Sequence, residues 1–167
     1  MCVAVDTNCM VEMQIERVSE AAGPATEALN LILAATYLAL DSGMHCQQEW
    51  FECMPGPYGE EVKSWLDQLI VHQKIRYLDI DACPHLMKTC GHAGLPNKDK
   101  KWIKLCAHDC VKFLVTEDID FFDPSLKSAK STEKTKLKQK LGGKMRQLIR
   151  KETGVEVICI HHVPNFI

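Results

Sequence analysis

The chain of 167 residues, 46% apolar and 25% charged, has the composition of one globular domain large enough to bury a substantial core. No apolar run approaches the roughly 18 residues that cross a bilayer, and no basic stretch followed by an apolar core opens the chain, so neither a membrane span nor an export signal is expected. The net charge of −2 conceals a division: Lys127 to Lys151 holds ten basic residues and one acid, a charge of +9, which leaves −11 for the rest.

Cys2 to Val5 is a short apolar run and reads as a buried strand. Met10 to Ala22 has helical spacing and stops at Gly23-Pro24, and a second helix is expected from Thr26 to about Ala35. Tyr37 to Leu40 reads as the next strand, closed by the turn Asp41-Ser42-Gly43, and His45 to Met54 as a short helix ended by Pro55-Gly56-Pro57. Tyr58 to Gln73 is the clearest amphipathic helix, with Val62, Trp65, Leu66, Leu69 and Ile70 on one face. A strand follows at Ile75 to Ile80. Residues 81–98, with Pro84, Gly91, Gly94 and Pro96, are expected to form a long loop. Asp99 to Cys110 reads as a helix with Trp102, Ile103, Cys106 and Ala107 inward, and Lys112 to Val115 as a strand. The basic segment is helical at least from Lys134 to Lys151 with a break at Gly142-Gly143, and Val155 to Ile160 is the last strand. Alternating strands and helices predict an α/β fold, a three-layer α/β/α sandwich around a mostly parallel sheet. No internal repeat or domain boundary interrupts it.

Four acids stand at the edges of these elements. Asp6 leaves the first strand in Asp6-Thr7-Asn8, Glu49 precedes Trp50, Asp99 opens a helix, and Asp118 follows the strand that ends at Val115-Thr116. Parallel strands deliver their C-terminal ends to one sheet edge, so acids far apart in sequence converge there. Three of them have a plainer reading alone: Asp6 as an Asx turn, Asp99 as a helix cap, Glu49 as a surface glutamate.

Taken in order, these motifs resemble the PIN-domain family of metal-dependent nucleases. The resemblance rests on Asp6-Thr7-Asn8 after the first strand, Glu49-Trp50, the helix opening Asp99-Lys100-Lys101-Trp102, and Val115-Thr116-Glu117-Asp118-Ile119-Asp120. It spans nearly the whole chain and implies a single Rossmann-like domain over residues 1–167 with a basic extension or insertion at about 125–152. It implies metal-binding, catalytic acids at Asp6, Glu49, Asp99 and Asp118, with Asp120 as a further metal ligand and Glu52 the rival of Glu49. It also implies Mg²⁺ or Mn²⁺ as cofactor and cleavage of RNA in preference to DNA. Two hard cations about 3.5–4 Å apart supply an activated water and a stabilised leaving oxygen, and the sequence shows no Ser/His/Asp pattern to do the work instead. Thr7, Asn8 and Thr116 are expected to hold the acids or the scissile phosphate. An inhibitor protein and a homodimer are partners of the kind this resemblance implies.

The basic segment is expected to touch nucleic-acid backbone through Lys134, Lys136, Lys138 and Lys140, against the simpler reading of a solvated helix face. Without interleaved aromatics it would confer affinity and salt dependence but no base stacking. Its first part, Ser128 to Thr135, is expected to order on binding. Nine cysteines, an odd number in no framework spacing, are expected to be reduced thiols of a cytoplasmic protein. A zinc site at Cys83, His85, Cys90 and His92 is the less favoured reading of one Cys-x-His pair repeated in the expected loop. Two rival functions stay in view: a catalytically weak module that binds RNA or a protein, and aspartyl phosphotransfer at Asp6. The second lacks an acid two residues on, where the chain has Asn8.

Overall fold

A computed structural model describes residues 1–19, 23–54, 59–80 and 83–167. The expected helix end at Ala22, the breaker Pro55-Gly56-Pro57, the helix start at Tyr58 and the first two residues of the expected loop lie outside the described residues. Five parallel strands, β1 (Cys2–Val5), β2 (Tyr37–Asp41), β3 (Ile75–Leu78), β4 (Val111–Val115) and β5 (Glu156–Ile158), form one sheet in the order β3-β2-β1-β4-β5. The chain builds outward from β1 to β3, then returns to the other side of β1 for β4 and β5. That reversal opens a crevice at the C-terminal ends of β1 and β4, where α/β sheets bind ligands.

The first half of the chain carries α1 (Thr7–Val18), α2 (Pro24–Ala35), α3 (His45–Cys53) and α4 (Glu60–Val71), with α1 packed against the other three. The return path carries α5 (Pro84–His92), α6 (Lys100–Cys106), α7 (Ser131–Gln139) and α8 (Lys144–Thr153), and α9 (Val163–Phe166) closes the chain. α6 lies on β1, β2 and β4, and α5 bridges α6 and α8. β1 is buried at all four positions, as a central strand covered on both faces must be. Among the described residues no helix is long and apolar enough to cross a membrane.

Three expectations are corrected. The stretch read as a long loop contains α5, because Pro84 occupies the first helical turn, where its missing N–H costs nothing, and Leu86 and Cys90 bury one face. α1 begins at Thr7, three residues earlier than expected, since Asp6 itself caps it. α6 ends at Cys106, and Ala107 is exposed. The expected break at Gly142-Gly143 is present. There φ is +110° at Gly143, whose backbone lies on the Phe122 carbonyl, and that carbonyl accepts from the amides of Met145 and Arg146 at 3.0 and 3.2 Å. All nine cysteines are free, six of them buried as small apolar side chains.

The core fixes the helices that flank the crevice. Trp50 of α3 and Trp102 of α6 stack with ring centroids 6.4 Å apart, which ties the helix carrying Glu49 to the one that follows Asp99.

Candidate metal centre

Val5 and Val115 are paired across β1 and β4, so the next residues, Asp6 and Thr116, leave the sheet side by side. The Asp6 carboxylate accepts from the Thr7 amide at 2.8 Å and from the Thr116 hydroxyl at 2.7 Å. Thr7 Oγ1 donates to Glu49 at 2.9 Å, and the Asp118 amide donates to Thr116 Oγ1 at 3.0 Å. The Asp120 amide donates to Asp118 Oδ1 at 2.9 Å. One run of polar groups therefore passes from Glu49 through Thr7, Asp6, Thr116 and Asp118 to Asp120. A lysine ends it on each side: Lys101 Nζ lies 2.8 Å from Glu49 and Lys127 Nζ 2.9 Å from Asp120.

Asp99, Asp118 and Asp120 each bring a carboxylate oxygen within 4.8 Å of the others, and they are the one such group of three or more metal-ligating side chains among the described residues. Asp99 does not cap α6 with its side chain, so the plainer reading of that residue fails. Its Oδ2 and Asp120 Oδ1 are buried with no hydrogen-bond donor. A buried carboxylate oxygen without a donor is costly unless a cation completes it. Several hard oxygen donors converging in this way suit Mg²⁺ or Mn²⁺ better than a thiophilic metal.

The electrostatics agree. Burial pushes the Asp6 carboxyl up to about 7, against the hydrogen bonds from Thr116 and Thr7, and the charges of Asp118 and Asp99 add to the rise. Burial also raises Asp99 to about 6, with Lys98 opposing and Asp118, Asp120 and Glu49 adding to it. A divalent cation would reverse both shifts by favouring the ionised forms.

All five expected acids thus stand at one sheet edge. Asp99, Asp118 and Asp120 form the tight group; Thr116 links Asp6 to Asp118, and Thr7 links Glu49 to Asp6. Glu52 faces solvent and accepts from Gln48, whereas Glu49 accepts from Thr7. Thr116 is fully buried and Thr7 nearly so, and both hydroxyls donate to the acids, whereas Asn8 is exposed. Lys101 and Lys127 were missed as counter-ions, because pairs such as Lys101 with Glu49 form only once the chain has folded.

The lysines of α7 do not act as one free face. Lys138 pairs with Glu117 and Lys134 donates to the Lys127 carbonyl, while Lys136 and Lys140 are exposed. In α8, Arg146 and Arg150 both pair with Glu156, and Arg146 donates to the carbonyls of Val157 and Leu141. Ser131 to Thr135 is helical already. Cys83, His85, Cys90 and His92 do not converge on a zinc position: α5 turns Cys90 into the core and leaves both histidines exposed.

No protein-family model matches the chain, and no curated protein does. Among solved structures, one described as VapBC2 from Rickettsia felis bound to a DNA fragment from their promoter is similar over 72% of this chain and 91% of that one, with 19% identity and a TM-score of 0.47.

Proposed function

We propose that the chain is a PIN-like, metal-dependent nuclease that hydrolyses phosphodiester bonds, with RNA as its preferred substrate. The observation that carries this reading is the gathering of Asp99, Asp118 and Asp120, with two buried carboxylate oxygens that no donor satisfies, beside Asp6 at the switch point of the sheet. A structural cap or a surface ion pair has no need of such oxygens.

Asp99, Asp118 and Asp120 would hold Mg²⁺ or Mn²⁺, with Asp6 alongside. Such an ion supplies a water that ionises near neutral pH and a charge to stabilise the leaving oxygen. The chain's own residues do the positioning. Thr116 and Thr7 fix the Asp6 carboxylate, and the Asp120 amide fixes Asp118. Glu49, held by Thr7 and Lys101, sets the outer limit of the site on the α3 side. Lys127 balances charge at Asp120 and is exposed enough to turn toward a phosphate.

The test is cleavage of labelled RNA and DNA by the purified chain with Mn²⁺, with Mg²⁺ and with EDTA, alongside Asp118→Asn. RNA cleavage that needs the metal and vanishes in the variant is the expected result. Metal binding without cleavage of either polymer would sink the enzyme reading and leave a module that binds RNA or protein.

A further inference from the structure

A second set of lysines lies around α6, away from α7. Lys98, Lys100, Lys101 and Lys104, with His45, line a cleft of about 610 Å³ between α5, α6 and the start of α3. Among the described residues only Lys101 of these four lysines forms an ion pair, to Glu49. On the other basic stretch Lys127, Lys134 and Lys138 contact the protein itself, while Lys130, Lys136, Lys140 and Lys144 are exposed. A concave surface lined by one sign of charge concentrates its field more than a convex helix face does.

The cleft also adjoins the acids directly. Lys101 at its edge touches Glu49, and Asp99 stands in the chain between Lys98 and Lys100. Ile80 and Met87 give part of its wall an apolar surface on which a sugar or a base face can rest. Lysines offer point charges that attract phosphate and do not read bases.

We propose that this cleft, and not the face of α7, carries the phosphodiester backbone of a single strand leading to the acid cluster; the inference rests on the nuclease reading above. The full chain is titrated in EDTA with fluorescein-labelled single-stranded RNA and DNA oligonucleotides over a range of KCl concentrations. Lys100→Ala/Lys104→Ala should weaken binding about tenfold and flatten the log–log salt slope by about 1.4, two phosphate contacts at about 0.7 each. Lys136→Ala/Lys140→Ala should change the slope by less than half as much, and Lys100→Arg/Lys104→Arg should restore binding. Equal response to RNA and DNA marks backbone recognition alone, whereas weakening confined to RNA adds a ribose contact within the same cleft. Unchanged affinity and slope in the cleft variant, a larger effect from the α7 variant, or no oligonucleotide binding by the wild type overturns the proposal. The two readings fail separately: a wild type that binds through the cleft but never cleaves defeats the nuclease alone, and a cleaving enzyme whose cleft variant binds normally defeats the cleft alone.

Discussion

Two buried aspartates stand at the C-terminal ends of neighbouring parallel strands, and their surroundings have opposite consequences. Asp41 closes β2 and is fully buried; its carboxylate accepts from the amides of His45 and Cys46, each at 2.8 Å, and contacts the His45 ring at 2.7 Å. Burial alone would raise its pKa, but those partners outweigh it and hold the carboxyl below its ordinary value. Asp6 closes β1, 4% exposed, with two donors and two other carboxylates nearby, and burial prevails. Burial by itself therefore does not mark a functional acid. The mark is burial with too few donors beside like charge, which makes the ionised form depend on something the chain does not supply.

The largest expected difference between the two is in activity. Asp6→Asn should lower metal-dependent RNA cleavage by about 10³-fold or more, several kcal/mol of transition-state stabilisation, while the metal-free protein melts no lower, because a repelled charge is removed. A cleavage rate within a few-fold of wild type would erase the distinction.

The next is pH. In metal-free protein, native Asp6 holds a proton up to about 7 that the unfolded chain releases near 3.8. Stability from this group is complete below 3.8 and falls as pH rises toward 7, by on the order of 4 kcal/mol; Asp99, raised to about 6, acts in the same sense. Asp41 has the opposite sign, since its lowered pKa stabilises at higher pH and is lost on acidification. Urea midpoints from pH 4 to 8 should decline in wild type, decline less in Asp6→Asn, and flatten when Mn²⁺ is added. A metal-free midpoint that climbs across this range in both proteins would contradict the Asp6 shift.

Third, Asp41→Ala should destabilise the fold by about 1–3 kcal/mol, through the lost cap of α3 and its unsatisfied amides. Cleavage per folded molecule should stay close to wild type, and a matched loss of activity and stability would blur the contrast. The smallest effect concerns the counter-ion. Lys127→Met removes the ammonium beside Asp120, so calorimetric titration should show Mn²⁺ binding a few-fold tighter, whereas weaker binding would make Lys127 a helper of the site and not a competitor.

Much of this was legible in the residues. Apolar runs and their punctuation located all five strands, and the convergence of Asp6, Asp99 and Asp118 followed from parallel topology. The two main misses have physical causes. α5 was hidden because Pro84 and Gly91 read as loop residues, yet a proline is at home in a first helical turn, and Gly91 lies where an added Cβ would come 3.3 Å from Lys100 Nζ. The α7 lysines looked alike in sequence, but Glu117 and the Lys127 carbonyl select Lys138 and Lys134 across distances that no local pattern encodes. The closeness of Asp120 to Asp99 and Asp118 was likewise invisible, because it depends on how the turn after β4 coils back on Asp118.

The two adjacent glycines after α7 should accumulate substitutions very differently. At Gly142 an added methyl meets the end of the Leu137 side chain, 2.9 Å away, and otherwise makes ordinary contacts. At Gly143 it would lie 2.1 Å from the Phe122 carbonyl oxygen on a backbone with positive φ. A saturation library selected for folded protein should thus fill position 142 with many residues and leave position 143 almost a monoculture. That single codon lets the loop carrying Asp118 and Asp120 come close enough for the Met145 and Arg146 amides of α8 to hold it, although its own residue has no side chain.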